Sequence, residues 1–187
     1  NYVWMDRFTI RNLELYHSTS INAVTLLDVI DKTISPMGGR LLKRWLALPL
    51  KDIDRIKKRH EIVKYLIDND VFFELTTYQI KQISDIERLV SKVATGKVNP
   101  REIVLLKNSL NAIIPIKEAS EKSNSESLKM IGEQLQDCNS IREKISKTLN
   151  EEAPVNINKG NAIAPGISEE LDELRSISTS GKAYLDG

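Results

Sequence analysis

Phosphate-binding loops need a glycine-rich turn that lets backbone N–H groups close around the anion, followed by Lys and then Ser or Thr. Gly96-Lys97 and Gly181-Lys182 are the Gly-Lys pairs of this chain, and neither has a glycine five positions earlier or a Ser or Thr after it. Both read as helix ends or breaks. His17, His60 and Cys138 are too few for a zinc site with ordinary ligand spacing. His60 falls in the apolar stripe of a helical segment and reads as a core or partly exposed histidine. Cys138 continues the stripe Leu128, Ile131, Leu135 and reads as a small buried apolar residue. Glu169, Glu170, Asp172 and Glu173 could ligate a hard cation, but they open a helix, where its dipole already favours carboxylates. No catalytic, metal or cofactor residue is expected. The remaining chemistry is electrostatic. Arg40 to Lys64 holds nine Lys and Arg against three Asp and Glu, whereas Glu118 to Gly187 holds eight against thirteen. A phosphate-facing stripe at Lys57, Lys58 and Arg59 is therefore a candidate, set against an ordinary solvated helix face.

The elements that would carry these residues are mainly helices. In 187 residues, 41% are hydrophobic and only 5% aromatic, with abundant Leu, Ile, Lys and Glu. Residues 1–24 read as an extended segment and loop, and 25–152 as a helical core. A hairpin or turn is expected over 153–167, with the hairpin near 155–164, and a helix over 168–187. Ser35 then Pro36 start a short buried helix that Pro49 closes. Asp52 caps a helix with the buried stripe Ile53, Ile56, His60, Val63, Ile67. Asp70 to Gln82 is another helix, in which Phe72 and Phe73 are packing residues. Ser84 with Glu87, Asn99 with Glu102, Ser123 with Glu126, and Ser140 with Glu143 form capping patterns. Pro115 should kink or end the helix that Pro100 begins. The last helix carries the stripe Leu171, Leu174, Ile177, and no stop signal precedes Gly187, so a truncated helix is expected. One cysteine, no signal-peptide pattern and no apolar run of membrane-spanning length lead to the expectation of a soluble cytoplasmic chain without membrane contact.

The order of residues adds a resemblance. Thr33 to Leu50 (TISPMGGRLLKRWLALPL), the block Asp6, Thr9 and Asn12-Leu13-Glu14-Leu15, then Asp85-Ile86-Glu87-Arg88-Leu89, Asn99-Pro100-Arg101-Glu102 and Glu169 to Leu174 together resemble the core domain of the MutS family of DNA mismatch-repair proteins. The resemblance runs almost end to end. It implies a mainly α, multi-helix core of MutS type with a short N-terminal extended segment and the small hairpin. The last helix would be the start of a long lever leading towards a DNA-gripping clamp. By the same resemblance Asn12 and Glu14 seat the extended segment, while Pro36, Gly38, Gly39, Arg40 and Trp45 shape the opening helix. Gly160 and Gly166 are the hinge candidates. Two positions depart from the family pattern: Asn161 stands where a second glycine is common, and Ile167 where an aromatic is common. Phe72-Phe73-Glu74 spells the family's mismatch-reading letters but lies outside the domain that reads, and it is rejected as a reader.

The implied function is mechanical and non-enzymatic for this segment. It would relay conformational change between an ATPase domain, which alone would bind ATP and Mg2+, and the clamp and mismatch-reading domains. The implied partners are the rest of a MutS chain, mismatched double-stranded DNA through the full-length protein, and a homodimer partner. The alternative is a stand-alone DNA-binding or helical protein-interaction module using the basic 40–64 stretch.

Overall fold

A computed structural model describes residues 2–18, 20 and 22–185, with the side chains of 179 and 181–185 outside the description. The expected end of the chain at Gly187 lies outside the described residues. The architecture is helical: α1 (Arg7–Asn12), α2 (Leu26–Ile30), α3 (Pro36–Ala47), α4 (Ile53–Asp68), α5 (Asp70–Gln82), α6 (Ile86–Ala94), α7 (Pro100–Glu121), α8 (Glu126–Gln134), α9 (Asn139–Thr148) and α10 (Glu169–Leu185). The described residues contain no β-strand, only isolated antiparallel bridges between Tyr2 and Leu50 and between Leu149 and Ile163.

Contacts divide the chain into two compact units, residues 1–88 with 109–137 and residues 89–108 with 138–187. Both α6 and α7 give residues to each unit.

In the first unit, local capping chemistry sets most boundaries. Ser35 accepts from Gly38 N with Pro36 at the first helical position, and Asp52 accepts from Arg55 N. The extended reading of residues 1–24 gives way to helix over Arg7–Asn12, because Asp6 caps that turn by accepting from Thr9 N at 2.6 Å. Thr25 and Asp28 form a full capping box that starts α2. The cap of α8 is Ser125, not Ser123. α3 holds no buried residue, and Leu41, Trp45 and Leu48 stay exposed, so the expected buried helix lies at the surface. The α4 stripe is also corrected: Ile53, His60, Val63 and Ile67 are exposed. α4 instead turns the other side towards α5 and α8. Tyr65 meets Phe72 edge-on at 5.4 Å, whereas Phe73 is exposed. The interior is unusually polar, with Ser109, Ser120, Ser123, Ser125 and Ser127 buried alongside Leu15, Ala112 and Leu128.

In the second unit, the Asn99–Glu102 box forms as expected: Glu102 N donates to Asn99 Oδ1 at 3.0 Å and Asn99 N to Glu102 Oε2 at 3.1 Å. α7 does not stop at Pro115; it continues through that residue to Glu121, in the first unit. α9 begins at Asn139 rather than from a Ser140 cap, with half-buried Cys138 in left-handed backbone (φ 49°) before it. Since α8 ends at Gln134, Cys138 does not extend the α8 stripe. The expected hairpin at 155–164 is absent. Asn156 accepts from Asn158 N, and backbone bonds from Lys159 to Asn156 and Gly160 to Ile157 close a single 3-10 turn. The following residues pair instead with the end of α9: Asn150 N donates to Ala162 O and Ala164 N to Thr148 O. Asn150 Nδ2 reinforces this by donating to the carbonyls of Asn161 (2.7 Å) and Ile163 (3.1 Å). α10 runs unbroken through Gly181, and its Leu174 and Ile177 are exposed, so the expected Leu171–Leu174–Ile177 stripe is not covered.

Candidate functional site: the cationic face of α3 and α4

The singled-out residues gather mostly on α3 and what touches it. At its start, a Cβ on Gly38 would lie 3.0 Å from Ser35 Oγ and one on Gly39 3.3 Å from Thr33 Oγ1, so both glycines keep the first turn tight against its cap. One turn later Arg40 spreads its guanidinium over the residues that open α6. Nη1 and Nη2 donate to the two oxygens of Asp85, each at 2.8 Å, and Nε and Nη2 donate to Glu87 Oε2 at 3.1 and 2.6 Å. This bidentate fork is a geometry Lys could not reproduce. The Arg40 bonds hold the Asp85 carboxyl below the usual carboxylate range. Asp85 Oδ1 also accepts from Arg88 N at 3.3 Å, so the same carboxylate caps α6. Further along α3, Tyr16 OH donates to Lys43 O at 2.9 Å, and burial pushes that phenol's pKa up. The Lys43 ammonium stands 5.3 Å from the Tyr16 ring.

Four of the nine cations of the basic stretch are thus engaged within the chain. Arg59 stacks on Trp45 at 3.6 Å from the ring centroid, and Arg55 lies 5.8 Å from the Tyr2 ring. Lys57, Lys58 and Arg59 do not make one stripe. Successive helical residues point about 100° apart, which turns Lys57 to the side of α4 away from Arg55. Lys58 and Arg59 join Arg55 on a groove towards α8. Next to that groove Glu61 bridges α4 to α8, accepting from Ser125 Oγ and Ser127 Oγ at 2.9 Å each; these two bonds lower its pKa.

Asn12 is exposed at the end of α1, and Glu14 sits in left-handed backbone (φ 47°) accepting from Ser18 Oγ at 2.6 Å. The Glu14 and Leu15 carbonyls accept from Leu26 N and Leu27 N, which docks the start of α2. In the second unit, Gly160 (φ 72°), Asn161 (φ 60°) and Gly166 (φ 82°) all have positive φ. Gly166 N donates to Asp172 Oδ2 at 2.6 Å. Asp172 Oδ1 in turn holds Arg175, which also donates to Ile163 O at 2.7 Å. No cluster of three or more His, Cys, Asp or Glu that could hold a metal occurs among the described residues, the α10 carboxylates included. The arrangement offers clamps between helices.

Sequence reasoning reached Arg40 and the Asp85–Glu87 block separately and did not join them. It also missed the Glu61 bridge. The signal for the first was charge complementarity across a long sequence separation, and for the second only a carboxylate facing distant serine hydroxyls; no local pattern exposes either.

The family described as MutS domain III matches residues 8–183. This chain belongs to the MutS domain III family. It is 68% identical over its whole length to the DNA mismatch repair protein MutS of Flavobacterium johnsoniae and 66% identical to that of Flavobacterium psychrophilum. The MutS protein of Bacteroides thetaiotaomicron is 53% identical over 98% of the chain. The chain spans 21 to 22% of the length of these relatives. No helix among the described residues is long and apolar enough to cross a membrane. Within MutS domain III, the Arg40 fork joins α3 to the start of α6, and the Lys43–Tyr16 and Arg59–Trp45 contacts join α3 to Tyr16 and to α4.

Proposed function

We propose that this segment is the core and lever of a MutS mismatch-repair protein, a non-catalytic relay between nucleotide state and grip on DNA. The observation that carries the reading is the domain III match across nearly the whole chain, joined to relatives that are all MutS mismatch-repair proteins. ATP and Mg2+ would be handled outside this segment. Mismatched double-stranded DNA and a homodimer partner would be engaged by the longer protein in the cytoplasm. Mechanical work of this kind suits helices whose mutual placement is set by discrete clamps, because densely packed elements switch between arrangements rather than deform smoothly. The Arg40 fork on Asp85 and Glu87 is such a clamp. Gly160 and Gly166, in backbone that other residues resist, are the hinge candidates before α10.

The test uses a full-length MutS carrying this segment with Arg40→Ala, and Arg40→Lys as the variant that keeps charge without the fork. Mismatch binding should persist while ATP-triggered release from the mismatch slows by about fivefold or more, the lower end of ordinary coupling between sites. Arg40→Lys should fall between wild type and Arg40→Ala. Unchanged release in both variants would remove the relay reading.

A further inference from the structure

The α4–α8 groove is not absorbed by the relay. Arg55, Lys58, Arg59 and Ile62 follow i, i+3, i+4, i+7 spacing on α4 and so share one face. Ser127, Met130, Ile131 and Gln134 repeat the same spacing on α8. The two rows line an open groove of about 320 Å3. Its floor is apolar, made by Ile62, Met130 and Ile131, of which Met130 and Ile131 remain 41% and 39% exposed. Its α4 wall carries three cations.

We infer that this groove is a docking site for an acidic amphipathic helix, which would lay its apolar face between α4 and α8 and its carboxylates on Arg55, Lys58 and Arg59. Three observations select that occupant. Parallel rows at helical spacing are the surface into which a third helix fits by i, i+4, i+7 anchors. Cations around an apolar floor reward a ligand that brings carboxylates and hydrocarbon together; a DNA backbone covers such a floor without gain. Two of the three cations are also held in place, Arg59 stacked on Trp45 and Arg55 over Tyr2, so little of their freedom is left to lose on pairing. Ser127, the polar residue of the α8 row nearest Glu61, already donates to that carboxylate and does not compete.

The test is fluorescence anisotropy of the full 187-residue chain with a labelled helical peptide bearing Leu at i, i+4, i+7 and Glu at the flanking positions. Binding is expected, and a Lys-for-Glu version of the peptide should not bind. The double variant Arg55→Glu/Lys58→Glu should weaken binding by about tenfold or more, as expected for two ion pairs turned into repulsions. Met130→Ala, which keeps every charge, should weaken it as well, with the circular dichroism spectrum of each variant confirming its fold. Equal binding by the Lys peptide, or unchanged affinity in either variant, would overturn the proposal. So would displacement of the peptide by a DNA duplex at equal concentration, which would make the site a phosphate track. Self-association abolished by the same double variant would assign the groove to a second copy of the chain.

Discussion

Gly132 sets two rules against each other and the structure decides which wins. It lies inside α8, where exchanging Gly for Ala ordinarily stabilises a helix by about 1 kcal/mol. Yet Gly132 is buried against the end of α7, and a Cβ there would stand 2.9 Å from Glu121 Cγ, 3.0 Å from Glu121 N and 3.1 Å from Lys117 O. The first of these atoms can swing away. The other two are backbone of the last turn of α7, and they can retreat only if that turn and α8 separate. Overpacking of this kind costs about 1–3 kcal/mol. Set against the propensity gain, Gly132→Ala should destabilise the chain by a net of up to about 2 kcal/mol. Separation would also stretch the bond from Lys117 Nζ to Gly132 O, now 3.3 Å.

The assay is urea denaturation followed by circular dichroism. The midpoint should fall by up to about 1 M for a typical denaturant slope. Adding Glu121→Ala removes the flexible obstacle but leaves the backbone ones, so the double variant should recover only part of the loss. A midpoint that rises in Gly132→Ala would refute the reasoning, for it would mean that helix propensity dominates and that α8 is not held against α7 as closely as 3 Å contacts require.

Two further outcomes follow from charges. Lys107 is 4% exposed and pairs with the exposed carboxylate of Glu151. Glu151→Gln should destabilise by about 1–2 kcal/mol, below the value for a fully buried pair, whereas Lys107→Met should be near neutral or stabilising; equal losses in the two, measured by urea titration, would count against a desolvated ammonium. Glu61 has its carboxyl pKa lowered first by the hydrogen bond from Ser125 and then by that from Ser127. A lowered folded-state pKa confers stability that is full above the ordinary carboxylate value and lost as pH falls through the lowered one. Wild type should therefore exceed Glu61→Gln in stability at pH 7 and converge on it below about pH 4, and a gap of the same size at both ends would dispose of the linkage.

What could be read from the chain follows the range of the interactions involved. Ser35, Asp52 and the Asn99–Glu102 box announce their helix starts because each cap spans three residues. Capping chemistry also betrays the error at the N-terminus: Asp6 and Thr9 outvote a loose apolar alternation and make a helix of Arg7–Asn12. The hairpin at 155–164 failed for a related reason. Its arms were short, and Asn150, from outside the segment, takes up the carbonyls that a hairpin partner would have used. Pro115 was expected to kink or end its helix, and it does not end it: α7 is long enough to continue past the missing N–H to Glu121. The site was legible only in pieces. Arg40 and Asp85 stand 45 residues apart, and nothing local states that one carboxylate both caps α6 and receives the fork from α3.

The basic stretch shows why a charge count is a poor guide to what the charges do. Nine cations between Arg40 and Lys64 read as an electrostatic surface, but the fold assigns them by direction along two helices. Arg40 is spent on carboxylates, Lys43, Arg55 and Arg59 stand over aromatic rings, and Lys57 is turned from its sequence neighbours. Each aromatic contact leaves the charge in place while removing its freedom to follow a ligand. Such cations suit recognition of a group in one fixed position and are poorly suited to tracking a polyanion, whose phosphates lie along a path. The exposed apolar residues obey the same logic. Periodicity in α4 and α10 states which face is apolar, and exposure states which neighbours are present in a segment spanning about a fifth of its relatives' length. The sequence pattern and the observed surface are thus two different quantities, and they part at Val63 and Ile67 on α4 and at Leu174 and Ile177 on α10, apolar by period and exposed in the fold.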